Sequence, residues 1–132
     1  MNISYTAKRN LIAGHVSGSV YNVECTPELL NPITNFNREQ VTTLSGTQHF
    51  NLLNIDEGWK VKSAWIQSSD EQKKWKEFLH SVAGGETFSF DAYGTSASAD
   101  NVQSVVLMSS DASPLRVGTT NIFQYDFEVK VQ

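Results

Sequence analysis

SSDEQKKWKEFLHSVAGGETFSFDAYG, residues 68–94, decides how the rest of the chain is read. Trp75, Phe78, Leu79 and Val82 recur at i, i+3, i+4 and i+7, which makes one apolar stripe on a helix. Lys73, Lys74, Lys76 and Glu77 fall off that stripe and are expected on the solvated faces. Ser68 and Glu71 have capping-box spacing. Ser69 is an equally placed cap, and Asp70 and Glu71 suit the positive end of the helix dipole. Gly84-Gly85 supplies a left-handed stop. The segment therefore predicts a helix over about 69–83, packed on a sheet by its stripe. After the stop, residues 86–90 alternate with Phe88 and Phe90 inward, and Asp91-Ala92-Tyr93-Gly94 reads as a turn.

Working outward, the clearest strand signal is at residues 121–131. Phe123, Tyr125, Phe127, Val129 and Val131 share one face, while Gln124, Asp126, Glu128 and Lys130 take the other. That pattern predicts one buried side and one wet or partner-facing side. Residues 102–108 read as a short strand, 95–100 as a polar loop and 111–114 as a turn. Upstream, 41–53 looks like a strand interrupted near Gly46. Asp56-Glu57-Gly58 reads as a turn, and 59–67 as a returning strand with Trp59, Val61 and Trp65 on one parity. Residues 26–37 contain Pro27, Pro32, Asn31, Asn35 and Asn37, and read as a loop, either an ordered excursion or a flexible arm. Residues 11–23 have β-type composition, with Gly14 and Gly18 between Ile12, Val16 and Val20.

The expected architecture is mainly β (α+β): an antiparallel β-sandwich or barrel with one amphipathic α-helix packed on it. Residues 1–132 read as a single domain without repeat or linker, with 1–37 as a partly extended arm.

The chemistry-bearing residues point away from catalysis. His15, His49 and His80 match no metal-binding spacing, and Cys25 is the only cysteine, so neither a metal site nor an internal disulfide is expected. Asp56/Glu57 reads as turn chemistry and Asp70/Glu71 as cap chemistry, not as carboxylates facing across a cleft. Gly84 and Gly85 follow a helix, whereas a phosphate cradle places its glycines before one. Gly14 and Gly18 lie outside any apolar helix, so they are no membrane dimer motif. Ser17, Ser19 and Ser45 lack an elbow motif. Trp59, Trp65 and Trp75 sit at alternating or helical positions that suit a core, although exposed tryptophans serve as sugar platforms or interface anchors. No catalytic, cofactor or metal residue is expected, and the chain reads as no enzyme.

A net charge of −4 and a pI near 5.2 argue against specific nucleic-acid recognition or an anionic membrane as partner, since both need a basic face. The densest basic group, Lys73, Lys74 and Lys76, is a solvated helix face. MNISYTAKRN has no apolar core of a signal peptide, and no apolar run reaches the roughly 20 residues of a membrane-spanning helix. The expectation is a protein made in a cytoplasm that crosses no membrane by itself.

The run from Trp75 to Gly94 (WKEFLHSVAGGETFSFDAYG) resembles the W-x-E-F-L…G-G-x-x-F-x-F-D-P-x-G stretch of small tail-tip proteins of long-tailed bacteriophages, the distal tail proteins and the minor tail protein M type. Arg116-Val117-Gly118 and the alternating aromatic strand from Phe123 to Val131 match the close of that pattern. The resemblance covers about residues 38–131. Ala92 stands where the pattern has proline, and the chain has no room for the second, often sugar-binding, domain of larger distal tail proteins. The resemblance implies a structural virion component: a homo-oligomer, a hexameric ring at the tail tip linking tail tube to hub, with tube, tape-measure and hub proteins as partners. Head–tail joining and tail termination are alternative positions for such a ring. A glycan-binding β-sandwich module is the alternative from another class.

Overall fold

The computed structural model describes residues 1–109 and 113–132. Among the described residues, nine strands and one helix follow in the order β1 (Asn2–Thr6), β2 (Val20–Glu24), β3 (Leu29–Thr42), β4 (Gln48–Lys62), α1 (Ser69–Val82), β5 (Phe88–Asp91), β6 (Val102–Leu107), β7 (Leu115–Arg116), β8 (Phe123–Gln124) and β9 (Asp126–Val131). Seven strands form one antiparallel sheet in the order β2-β1-β5-β6-β9-β4-β3, and β7 and β8 pair separately. The fold is mainly β with a single helix packed on the sheet, as the sequence predicts.

Strands β2 and β3 lie at opposite ends of the sheet order, yet only residues 25–28 join them. Five Cα steps reach at most about 18 Å. Seven strands laid flat would hold their outer members about 29 Å apart, six spacings of about 4.8 Å. The sheet must therefore curl until its two edges approach, and its concave face holds the core. The inward residues meet across the ladder: Ile3 faces Val23 and Phe90, Phe88 faces Val105, Val105 faces Val131, and Phe127 faces Val61. Helix α1 closes this face. Trp75 stacks on Tyr125 with centroids 5.6 Å apart, and Phe78 meets Phe88 edge-on at 5.0 Å. All four stripe residues are buried.

The helix stops as expected, by a different division of labour at its ends. Gly85 has φ +90° and its N–H reaches the Val82 carbonyl, while Ala83 is still right-handed. At the other end Ser68 is the N-cap residue, but its side chain caps nothing, and Glu71 pairs with Lys74 at 3.2 Å. The capping box does not form.

Several expectations fail. Residues 1–37 are no extended arm: β1 is an inner strand between β2 and β5, with Ile3 and Tyr5 in the core. Residues 11–19 form a turn-rich loop, and the strand begins only at Val20. Most of 26–37 is strand β3, not a loop. Because β3 is an edge strand with one partner, Pro32 removes no ladder bond. The hairpin turn is at 43–47, where Gly46 has φ +85° and the Thr43 N–H meets the Thr47 carbonyl. Asp56, Glu57 and Gly58 lie inside β4. Gly58 is there for close approach: a Cβ would sit 2.2 Å from the Val129 carbonyl oxygen. Residues 121–131 break at Tyr125, and Gln124 is buried, donating to the Ser63 carbonyl at 2.9 Å. Of the turn expected at 111–114, residues 111 and 112 lie outside the described ones.

Candidate interaction surface

Strand β4 pairs with β9 only over Gly58–Lys62. Beyond Gly58, β3 and β4 pair only with each other, so 33–42 and 48–57 form a two-stranded ribbon off the sheet. At about 3.3 Å per residue it is about 33 Å long.

The ribbon has two unlike faces. Residues paired across an antiparallel ladder share a face. Alternation along β3 carries the inward side from Leu30 through Pro32, Thr34, Phe36, Arg38 and Gln40. Their partners are Val61, Trp59, Glu57, Ile55, Leu52 and Phe50. The register shifts between Asn37 and Arg38, which leaves Leu53 as the extra residue of a bulge on β4. The opposite face presents Asn35/Asp56, Asn37/Asn54, Glu39/Asn51 and Val41/His49. So the face that buries Val61 in the body continues outward as Phe36, Ile55, Leu52 and Phe50, each about half exposed or more, beside Leu53 at 68 %. The Arg38 guanidinium lies over the Phe50 ring, 4.5 Å from its centroid. At the root, Lys130 bridges to Asp56 at 3.1 Å, and Asn37 also donates to that carboxylate. These bonds hold the Asp56 carboxyl below its ordinary pKa.

A second polar cluster joins the 7–19 loop to helix α1. Glu77, expected on a solvated helix face, is fully buried. The Tyr5 hydroxyl donates to it at 2.8 Å, the Leu11 and Ile12 amides at 3.1 and 3.2 Å, and His15 Nδ1 lies 2.6 Å away. Burial pushes the Glu77 carboxyl up, and the bonds from His15, Tyr5 and Leu11 outweigh that, leaving its pKa lowered. Lys8 and Arg9 add bonds to Ser81, Glu86 and the His80 carbonyl. The 7–19 loop is thus strapped to the helix through a buried carboxylate. Every oxygen of that carboxylate is bonded within the fold, which makes it a structural keystone. Nothing in the stripe periodicity distinguishes Glu77 from a surface position; only the loop above it does.

The remaining candidates disperse. His49 is on the ribbon, His80 in the last helical turn, and Cys25 is half-buried. No group of three metal-ligating side chains assembles among the described residues. Trp75 is buried; Trp59 is half-buried, donates to Gln103 at 3.1 Å and meets Tyr93 edge-on; Trp65 is exposed. Arg116 closes its own turn, donating to the Thr119 and Thr120 carbonyls. The carboxylate of Asp91, buried, collects the amides of Gly94, Asp100 and Asn101 and so shapes the 95–100 loop. No helix of the described residues is long and apolar enough to cross a membrane.

A curled mainly-β body with a projecting amphipathic ribbon defines the class of protein. Neither protein-family models nor curated proteins supply a match to this chain.

Proposed function

We propose that this protein is a structural, ring-forming component of a long-tailed bacteriophage tail, joining tail tube to hub at the tip. The observation that supports self-association is the ribbon. An isolated two-stranded hairpin is marginally stable in water, and this one exposes Phe36, Phe50, Leu52 and Ile55 together on one face outside the body. Such a face is a partner's seat. The 75–94 run and the closing aromatic strand supply the tail resemblance. A protein with its apolar projection at one end of the sheet associates head to tail, and head-to-tail contacts that close make rings. Tube, tape-measure and hub proteins are the further partners of this reading, and the virion is its location.

Sedimentation and electron microscopy of the purified protein test it. A closed ring, expected as a hexamer, supports the reading. A monomer at every concentration that also fails to enter assembling tails overturns it. Glycan binding rests on the exposure of Trp65 alone, because Trp59 is engaged with Gln103 and Phe90. Glycan-array binding lost on Trp65→Ala would favour that second reading.

A further inference from the structure

The loop from Lys8 to Ser19 adds nothing to the core. Ala7 before it is buried, but from 8 to 19 every residue is exposed except Ile12 and His15, which are half-buried. Its base is closed by the Ala7 N–H to the Ser19 carbonyl at 2.9 Å and the Gly18 N–H to the Ala7 carbonyl at 2.8 Å. Towards β2, the His15 ring lies flat on Tyr21 with centroids 3.7 Å apart, and the Tyr21 hydroxyl accepts the Val16 N–H. Towards α1, Lys8 and Arg9 reach Ser81 and the His80 carbonyl. Past Arg9, every hydrogen bond from the loop to the helix among the described residues ends on Glu77. Shallow depressions flank this seam, one at Ile12 and Ala13 and the other at Arg9.

We propose that the 8–19 loop is an acid-released latch: it opens as a unit of its own when the Glu77 carboxylate takes up a proton, while the sheet and the helix seam stay folded. The geometry leaves that proton no free place. Oε2 faces the Leu11 and Ile12 amides, which can only donate, and Oε1 faces the Tyr5 hydroxyl and His15 Nδ1. A proton on Oε2 meets two donors, and one on Oε1 displaces Tyr5 or His15 as donor. A segment that buries so little apolar surface opens locally, at a lower free energy than the body. The sign follows from the closed state. Burial pushes the Glu77 carboxyl up, and the bonds from His15, Tyr5 and Leu11 outweigh it, leaving its pKa lowered. The tie is therefore complete above the free value of about 4.3 and is lost as pH falls through the lower one. The other ionisable groups around it are Tyr5 on β1, Tyr21 on β2, Lys8, Arg9 and His15 on the loop, and Asp70, Lys73, Lys74 and His80 on the helix. Glu86 holds Lys8 at 2.8 Å, and that bond lowers its carboxyl too, but the pair sits exposed at the base of the loop.

Amide exchange followed by NMR as pH is lowered from 6, corrected for intrinsic rates and repeated in low urea, tests this. Leu11 and Ile12 should exchange at least about tenfold faster than the ladder amides of β1 and β5 at each pH, through an opening that urea leaves unchanged because it exposes little surface. Their protection should fall by up to about tenfold per pH unit below about 4.3. At pH 7, Glu77→Gln should keep the circular dichroism of the wild type and be cut by trypsin after Lys8 or Arg9 at least about tenfold faster. Glu86→Gln should leave the fall in Leu11 and Ile12 protection in place. Loop and ladder amides that exchange together, with one urea dependence, mean that the loop opens only with the whole fold and overturn the latch. Protection at Leu11 and Ile12 that is flat with pH overturns it, as does a fall abolished by Glu86→Gln. If Glu77→Gln does not fold, the wild-type titration decides.

Discussion

Val61 and Leu52 stand on the same face of the same strand, and one is fully buried while the other is 58 % exposed. Nothing local separates them. Both are β-compatible apolar residues paired across the ladder with β3. The difference is what lies opposite: Val61 has β9 beside it and the helix–sheet core over it, whereas Leu52 is past Gly58, where β9 has ended. Alternation assigns a residue to a face, and only the neighbouring elements decide whether that face is covered. The body covers its own inward face, whereas the same face of the ribbon lies uncovered in the single chain.

The largest effect should come from the body. Phe78 is fully buried among Tyr5, Trp75, Phe88 and Phe127. Phe78→Ala should cost about 3–5 kcal/mol in chemical denaturation. A loss below about 1 kcal/mol would mean that the helix seam does not hold the fold.

Next is the strap. Glu77→Leu leaves Tyr5, His15 and two loop amides without an acceptor and should cost about 3 kcal/mol. The pH dependence has a definite sign. Since the Glu77 pKa is lowered in the folded state, its contribution is present above the unfolded value of about 4.3 and disappears as pH falls through the folded one. Asp91 is shifted the same way: burial pushes it up, and the Asp100, Asn101 and Gly94 amides more than offset this. Acid unfolding below about pH 4 should therefore be blunted in Glu77→Gln and blunted further when Asp91→Asn is added. An unchanged acid transition in the double variant would refute the assignment.

These residues also show what was legible in the sequence. The helix, its glycine stop, the inward Phe88 and Phe90 and the mainly-β class could be read because each rests on local periodicity or backbone preference. Glu77 could not, since its burial depends on a loop about 65 residues away in sequence. The hairpin was misread because Gly58 and Gly46 look alike in sequence. One makes room for the Val129 carbonyl of β9, and the other turns the chain. Pro32 and the asparagines of β3 suggested a loop because edge-strand status is a property of the whole sheet. The exposure of Phe50 and Leu52 is hidden for the same reason: it depends on where β9 ends.

Gly58→Ala probes the point where body becomes ribbon. The added Cβ would press on the β9 backbone, so a loss of about 1–3 kcal/mol is expected. Hydrogen exchange should show the extra opening at the Gly58–Lys62 pairing with β9 and not at 43–47. Wild-type stability in this variant would mean that β9 yields freely there.

The smallest effect on stability should have the largest effect on assembly. In the isolated subunit Leu52 and Phe50 have little to lose, so Leu52→Ser should change monomer stability by no more than about 0.5 kcal/mol, as exposed positions do. If the ribbon is covered only in the oligomer, the same change should shift sedimentation from ring to monomer. It should also abolish the slowing of amide exchange along 48–57 that assembly brings. Val61→Ser should do the reverse, weakening the fold while the surviving folded molecules still associate. A Leu52→Ser variant that destabilises the monomer as much as Val61→Ser would show that the ribbon folds back on its own body, and the contrast between these two residues would disappear.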